Sequence, residues 1–352
     1  MNYLFNSRTL FATSILFVIK FSFGQANTQH PIPLNTPEAH KFDFWIGEWK
    51  VQNRFRQDDN SWKDEGGARV KIFPVLDGKA VMEFWDGTAK DMKETKGFSL
   101  RYFDTEAKKW KLVLNWPQPN NGRFFFLDGE FRHNRGEFFV DFTNRQGQYV
   151  ILRYTFCDIT PNSLRWNDGT SLDSGKTWQT NWIMEFSRTA DKPQWPSTNE
   201  RFHTYDNDSW NTATEGKRFD SITGLWKGKS EITTPNGNMT RNLEMKVWKV
   251  LNGTSFLLKV NSLAENPFNE IMMLTYNEMS NSWFLLELDD RKESDFNLFS
   301  WAVADSTPVF KKISGNENEK FTIEWHEISE NKIVLTRTDD TNKIKIRAVY
   351  TK

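Results

Sequence analysis

The octapeptide FDFWIGEW at residues 42–49 returns in altered form as FDSITGLW at 219–226. What lies between and after the two copies keeps the same order. Val70 in VKIFPVLDG matches Met245 in MKVWKVLNG, an offset of 175 against 177 for Phe42 and Phe219. Phe103 and Trp110 match Tyr276 and Trp283 at an offset of 173, and Phe186-Ser187-Arg188 matches Tyr350-Thr351-Lys352 at 164. Chance matches would not stay in sequence. A slowly falling offset is that of a duplicated unit whose second copy is shorter, mostly in its later hairpins, and 352 residues is a two-domain length.

Each unit reads as strand after strand. KWKLVLNW at 109–116 alternates, with Trp110, Leu112, Leu114 and Trp116 on one face. In GEFFVDF at 136–142, Phe138, Val140 and Phe142 share a side. Further strands are predicted near 67–76, 79–86, 97–103, 122–131, 149–156, 163–167 and 177–188, joined by turns such as Leu76-Asp77-Gly78-Lys79 and Phe103-Asp104-Thr105. KIKIRAVY at 343–350 closes the second copy, with Ile344, Ile346, Ala348 and Tyr350 inward. No long stretch has a 3.6-residue apolar period. About ten short antiparallel strands per unit point to a meander closed into a barrel, because closure removes exposed edges. The expected fold is all-β: two tandem antiparallel meander barrels, at 41–188 and 219–352, with a polar linker at 189–218 carrying Pro193 and Pro196.

Residues 1–24 have the layout of a secretory signal peptide. Arg8 supplies the charged start, Thr9 to Ile19 the apolar run, and Ser22 and Gly24 the small residues before a cut at Gln25. A Pro-rich extension, 25–40, follows. The expected address is periplasmic or secreted, with no integral membrane segment after cleavage. The single Cys157 rules out an internal disulfide and is expected to be a small buried apolar residue. Lys plus Arg and Asp plus Glu number 46 each, so whole-chain charge makes no case for nucleic acid or an anionic surface.

A Gly-x-Trp on the first strand, with a cation at the end of the last strand, resembles the lipocalin and calycin superfamily. The resemblance implies that Gly47 and Trp49 with Arg188, and Gly224 and Trp226 with Lys352, close the two barrels, each cation covering an indole. The longer FDFWIGEW start is similar to a family of bacterial exported proteins of unknown function with lipocalin-like barrels, here as two tandem copies. The second copy departs from it at Ile222 and Leu225, where the first has Trp45 and Glu48. SLDSGKTW at 171–178 matches the Asp-box pattern of sialidase-type propellers. A propeller repeats that hairpin in blade after blade, and a single copy implies a turn in which Asp173 satisfies N–H groups above Trp178.

No catalytic constellation is legible. The five His residues show no metal-ligand spacing. Haem held by one strand His would have to use His133 or His326. The pairs Asp58-Asp59, Asp289-Asp290 and Asp339-Asp340 read as solvated turns. Glu83 and Trp85 share a face and would suit a sugar if that face is internal. Among the strand cations Arg101, Arg123 and Arg153, the last is of most interest: in YVILRYTF it either faces solvent or anchors an anionic head group inside. The expected function is binding or carriage of a small, mainly apolar ligand, with Trp85, Trp116, Arg153 and Trp166 lining a pocket in the first barrel. Two other classes stay open: a barrel enzyme such as an isomerase, hydratase or hydrolase, marked by a pocket carboxylate beside a cation, and a carbohydrate-binding module, marked by coplanar Trp rings on an outer face.

Overall fold

The computed structural model describes residues 36–88, 94–116, 123–197, 215–251, 253–263, 267–291, 295–305, 307–315, 320–341 and 343–352. The segment expected to be a signal peptide, most of the expected extension and the middle of the expected linker lie outside these residues. Ten strands follow a short 3-10 entrance turn: β1 (Gly47–Arg56), β2 (Trp62–Val75), β3 (Ala80–Thr88), β4 (Glu94–Asp104), β5 (Lys109–Asn115), β6 (Phe124–Arg132), β7 (Arg135–Thr143), β8 (Tyr149–Cys157), β9 (Ser163–Ser171) and β10 (Trp182–Ala190). Each pairs antiparallel with the next, and β10 returns to β1 in a closed barrel.

The second ten are β11 (Gly224–Thr234), β12 (Gly237–Val250), β13 (Ser255–Ser262), β14 (Asn269–Asn277), β15 (Ser282–Asp289), β16 (Asn297–Ala302), β17 (Val309–Ser314), β18 (Phe321–Ile328), β19 (Lys332–Asp339) and β20 (Lys345–Thr351). They close the same way through β11 and β20. The all-β, two-barrel expectation holds. The shortening of the second copy is visible in β16 and β17, six residues each where β6 and β7 have nine.

Alternation sets two cores per barrel. In β2 and β3, Val70, Ile72, Val81 and Trp85 face inward, while Phe73, Val75, Met82 and Phe84 face outward and are equally buried. The outward set meets Trp248, Val250, Leu257, Met273 and Leu286 of the second barrel in one apolar cluster. Matched positions line this seam from both sides: Phe73 and Trp248, Val75 and Val250, Met82 and Leu257, and Leu100 and Met273 are repeat equivalents, and all lie in the cluster. The same patch serves both partners, as in a two-fold homodimer interface. Burial on both faces is why these strands read as nearly continuous apolar runs.

Polar contacts fix the seam's rim. Lys111 reaches Asp295 at 2.9 Å, Asn269 donates to Asp77 at 2.8 Å, and Tyr102 donates to Asp295. The ring of Trp195, from the linker, lies 4.5 Å from Phe73 and 5.3 Å from Trp248, so the described start of the linker is draped over the seam.

Both seam turns use the same backbone device. Leu76, Asp77 and Gly78 all have positive φ (53°, 54° and 84°), and Leu251 and Gly253 repeat it at 52° and 75°. No helix among the described residues is long and apolar enough to cross a membrane.

Candidate functional site

The entrance segment plugs one end of each barrel. Phe42 enters the first interior fully buried, 4.8 Å from Trp110, 4.9 Å from Phe131 and 5.4 Å from Phe138. The Trp49 indole N–H donates to Trp45 O at 2.8 Å, and the Arg188 guanidinium lies 4.0 Å above its ring. Gly47 has φ 137°, and a Cβ there would sit 2.4 Å from Arg188 Nη1, so only glycine fits beneath the guanidinium. The second barrel repeats the plug: Trp226 donates to Ile222 O at 2.7 Å, and Lys352 Nζ sits 4.7 Å over Trp226 beside Gly224, φ 120°.

Just above the first plug, Arg101 faces inward, 1% exposed. It is stacked 3.9 Å over Trp45 and 4.7 Å over Phe42, and bonded to Glu83 at 3.2 Å and to Ser99. Burial raises the Glu83 carboxyl, with Arg101 opposing the shift, and burial lowers Arg101 to about 10. Glu83 does share the internal face with Trp85. Its Oε2 accepts from both Ser99 and Arg101, which makes it part of a buried ion pair under the aromatic layer.

The opposite end of the first barrel is lined with indoles. Trp85 lies 5.1 Å from Trp116 and 6.3 Å from Trp182; Trp182 lies 6.0 Å from Trp116 and 5.4 Å from Trp166; Tyr154 joins at 4.9 Å from Trp166. Trp85 is fully buried and its indole N–H has no acceptor among the described residues. Trp116 and Trp182 are half-buried and form the outer layer.

Three of the four residues expected to line a pocket are therefore brought together. Arg153 is separated from them: its neighbours Tyr154 and Phe156 point inward, so its own side chain lies outside, stacked 4.1 Å over Trp178 and 3.6 Å from Glu137. The inward anchor considered for Arg153 is corrected accordingly. Trp182, which opens β10 and contacts three of these rings, was missed because it follows the irregular Asp-box loop, where alternation cannot be phased.

That loop is a turn built as its motif implies. Asp173 accepts from Ser171 Oγ at 2.8 Å, Thr177 N at 2.9 Å and Thr177 Oγ1 at 2.7 Å, which holds its carboxyl down at about 2. Other expectations also move. His133 sits in an exposed turn with φ 49°, and His326 is outward, bonded to Thr336 at 2.9 Å, so neither points into a barrel. Cys157 is half-buried on the outer face, its thiol pushed up by burial. Arg123 is exposed. Trp62 is the one Trp exposed among the described residues, so no ledge of coplanar rings is formed by them.

Asp289 and Asp290 are 6% and 2% exposed, where a solvated turn was expected. Asp289 belongs to a charged group inside the second barrel that sequence reading did not find. Glu287 and Asp289 of β15 share the inward face of Trp283 and Leu285, and Glu270 of β14 shares that of Met272 and Leu274. Arg337 on β19 donates to Glu287 at 2.6 Å and lies 3.8 Å from Glu270, while Arg291 pairs with Asp289. Burial and the Glu287 charge raise the Glu270 carboxyl well above its ordinary range, and Arg291 helps hold Asp289 below its own despite burial. A period-2 count from Trp283 would have placed Glu287 and Asp289 inside.

Outside the first barrel, Glu48, Lys50, Gln52, Arg69 and Lys71 line a groove of about 750 Å³. Glu48 there pairs with Lys71 at 3.8 Å and accepts from Gln194 N at 3.1 Å.

Fold and sites together define a tandem of closed ten-stranded meander barrels, each plugged at one end. No protein-family model and no curated protein matches the chain. Solved structures similar to it include the S-type phycobiliprotein lyase CPES from Guillardia theta, 11% identical over 43% of this chain and 93% of that one, TM-score 0.31. A redesigned β-barrel bound to DFHBI is 12% identical over 41% and 99%, TM-score 0.24. A protein of unknown function of the DUF3598 family from Nostoc punctiforme is 7% identical over 90% and 99%, TM-score 0.25.

Proposed function

We propose that the protein is an exported, lipocalin-like binder that carries a small, planar, mainly apolar ligand at the unplugged end of the first barrel. The observation that carries this reading is the convergence of Trp85, Trp116, Trp166 and Trp182 with Tyr154, over a buried indole N–H that lacks an acceptor among the described residues. Aromatic walls with few polar groups are what small-molecule sites use, and stacked ring pairs add about 0.5–1.5 kcal/mol each beyond area burial. The ligand would insert among the outer rings, Trp116 and Trp182, and offer one acceptor to Trp85 Nε1. The leader-like start of the sequence supports a periplasmic or secreted address.

The test is native mass spectrometry of the mature protein from its own host, together with titration of N-phenyl-1-naphthylamine followed by quenching of Trp emission. A stoichiometric adduct, or saturable 1:1 quenching weakened tenfold or more in Trp116→Ala, is the expected result. Bare protein whose probe binding is indifferent to Trp116 and Trp182 would remove the reading.

A further inference from the structure

We propose that the unplugged end of the second barrel is a separate site for a small organic monocation of the primary ammonium type. It occupies the place in the repeat that the indoles hold in the first barrel. There, Trp85 pairs with Gly97, whose Cβ position meets the Trp116 ring at 3.0 Å. In the second barrel the corresponding row is Val260, Glu270 and Asp289, and one inward position deeper Glu287 stands where the first barrel has Leu114. The two copies keep the backbone, and the second carries three carboxylates, Glu270, Glu287 and Asp289, where the first has Gly97, Leu114 and Trp116.

The polar atoms left over define the missing partner. Glu287 Oε2, Ser262 Oγ and Asn297 Oδ1 are buried without a hydrogen-bond partner among the described residues, in residues 1%, 4% and 4% exposed. All three residues sit on inward positions within the consecutive strands β13–β16: Asn297 of β16 is the cross-strand partner of Glu287 of β15, and Ser262 of β13 lies one inward position beyond Val260, the partner of Glu270 of β14. These three atoms can accept hydrogen bonds. Arg337 Nε and the Ser262 hydroxyl are the unpartnered donors of this group among the described residues, and the Trp301 and Trp325 indole N–H groups are unpartnered elsewhere in the same interior. A buried acceptor without a donor is costly, so the complementary molecule brings N–H groups.

Charge selects its valence. The Asp289–Arg291 pair at the rim is neutral within itself. Glu270, directly across from Asp289, and Glu287, one inward position deeper, share the single guanidinium of Arg337, which leaves one negative charge. A proton on Glu270 or a bound monocation neutralises it; a divalent metal ion would overshoot beside two guanidiniums. An ammonium has three donors and no acceptor. Aromatic faces already used by cations flank the place, with Arg337 4.8 Å from Phe321 and 6.0 Å from Phe299.

The experiment titrates the full-length mature protein with ammonium, methylammonium, benzylammonium and putrescine, with benzyl alcohol and calcium chloride as controls, read by calorimetry and by thermal shift. At least one amine is expected to bind 1:1, benzyl alcohol and calcium not at all. Glu287→Gln should weaken the amine tenfold or more and Ser262→Ala severalfold, whereas Trp116→Ala in the first barrel should leave it unchanged. Ser262→Ala, a small isosteric change, keeps the test decisive if Glu287→Gln, which strands Arg337, fails to fold. Equal binding of amine and alcohol, calcium binding lost in Glu287→Gln, insensitivity to both second-barrel variants, or no amine bound at millimolar concentration would each overturn the proposal.

Discussion

The Arg188 guanidinium lies 4.0 Å above the Trp49 ring and donates from all three nitrogens to main-chain oxygens: Nε to Pro161 at 2.6 Å, Nη1 to Ile46 at 2.6 Å and Nη2 to Phe44 at 2.5 Å. One side chain thus ties the last strand, the β8–β9 turn and the entrance segment to the barrel's first indole. Lys352 does less at the equivalent place, with one bond to Ser221 O at 3.2 Å and an exposed position.

The asymmetry sets an expectation for stability. Arg188→Ala should cost about 2–4 kcal/mol, since it removes a cation–π contact and leaves three carbonyls short of donors. Arg188→Lys should recover less than half, because an ammonium cannot span the three directions. Lys352→Ala should cost about 1 kcal/mol or less. Urea unfolding of the three variants checks the ranking, and equal costs at the two positions would contradict it.

A second expectation concerns the seam. Trp195 bridges Phe73 and Trp248, and the seam has a continuous apolar centre inside its polar rim, so the barrels should unfold as one cooperative unit. Leu100→Glu places a carboxylate in a fully buried position of that seam and should split the calorimetric transition in two, one per barrel. Trp195→Ala should lower stability by roughly 1–3 kcal/mol without splitting it. A single unshifted transition in Leu100→Glu would mean that the seam does not couple the barrels.

Gly97 offers a way to disturb the indole layer without touching an indole. Its Cβ would meet the Trp116 ring at 3.0–3.1 Å, and Trp116 is half-buried, with room to swing outward. Gly97→Val should displace the ring, shift Trp emission to longer wavelength and weaken apolar-probe binding by an order of magnitude, about 1.4 kcal/mol, with the fold intact. Probe affinity that survives this change places the ligand elsewhere.

Much of this architecture was legible because strand alternation and an ordered repeat are local signals. The two-barrel plan, the inward faces of KWKLVLNW and KIRAVY, and the convergence of Trp85, Trp116 and Trp166 follow from period 2 once the phase is known. Phase is what failed elsewhere. Arg153 sits in YVILRYTF, apolar on both faces, where composition does not say which parity is inside. Asp289 was read as a turn because it precedes a second Asp, although two-residue steps back through Glu287 and Leu285 to Trp283 put it in the interior. The seam hid for a related reason: outward residues such as Phe73 and Met82 look like core, and are core, to a partner 175 residues away in sequence.

Glu270 supplies the remaining expectation, in the pH dependence of stability. Its carboxyl is raised well above the ordinary value of 4.5, first by burial and then by the Glu287 charge, with Arg337 opposing. The native protein therefore keeps this proton over a pH range in which the unfolded chain has lost it, and stability falls as pH rises through that range. Below about pH 4.5 both states hold the proton, and the contribution of the site is fully present. Glu270→Gln is permanently neutral and lacks this loss. Its unfolding free energy should run level with the wild type near pH 4.5 and rise above it towards pH 8, in urea titrations at matched ionic strength. An amine at the site would substitute for the proton and flatten the wild-type curve towards that of the variant. Parallel curves for the two proteins across the range would show instead that Glu270 is ionised in the native state and that Arg337 alone balances both glutamates.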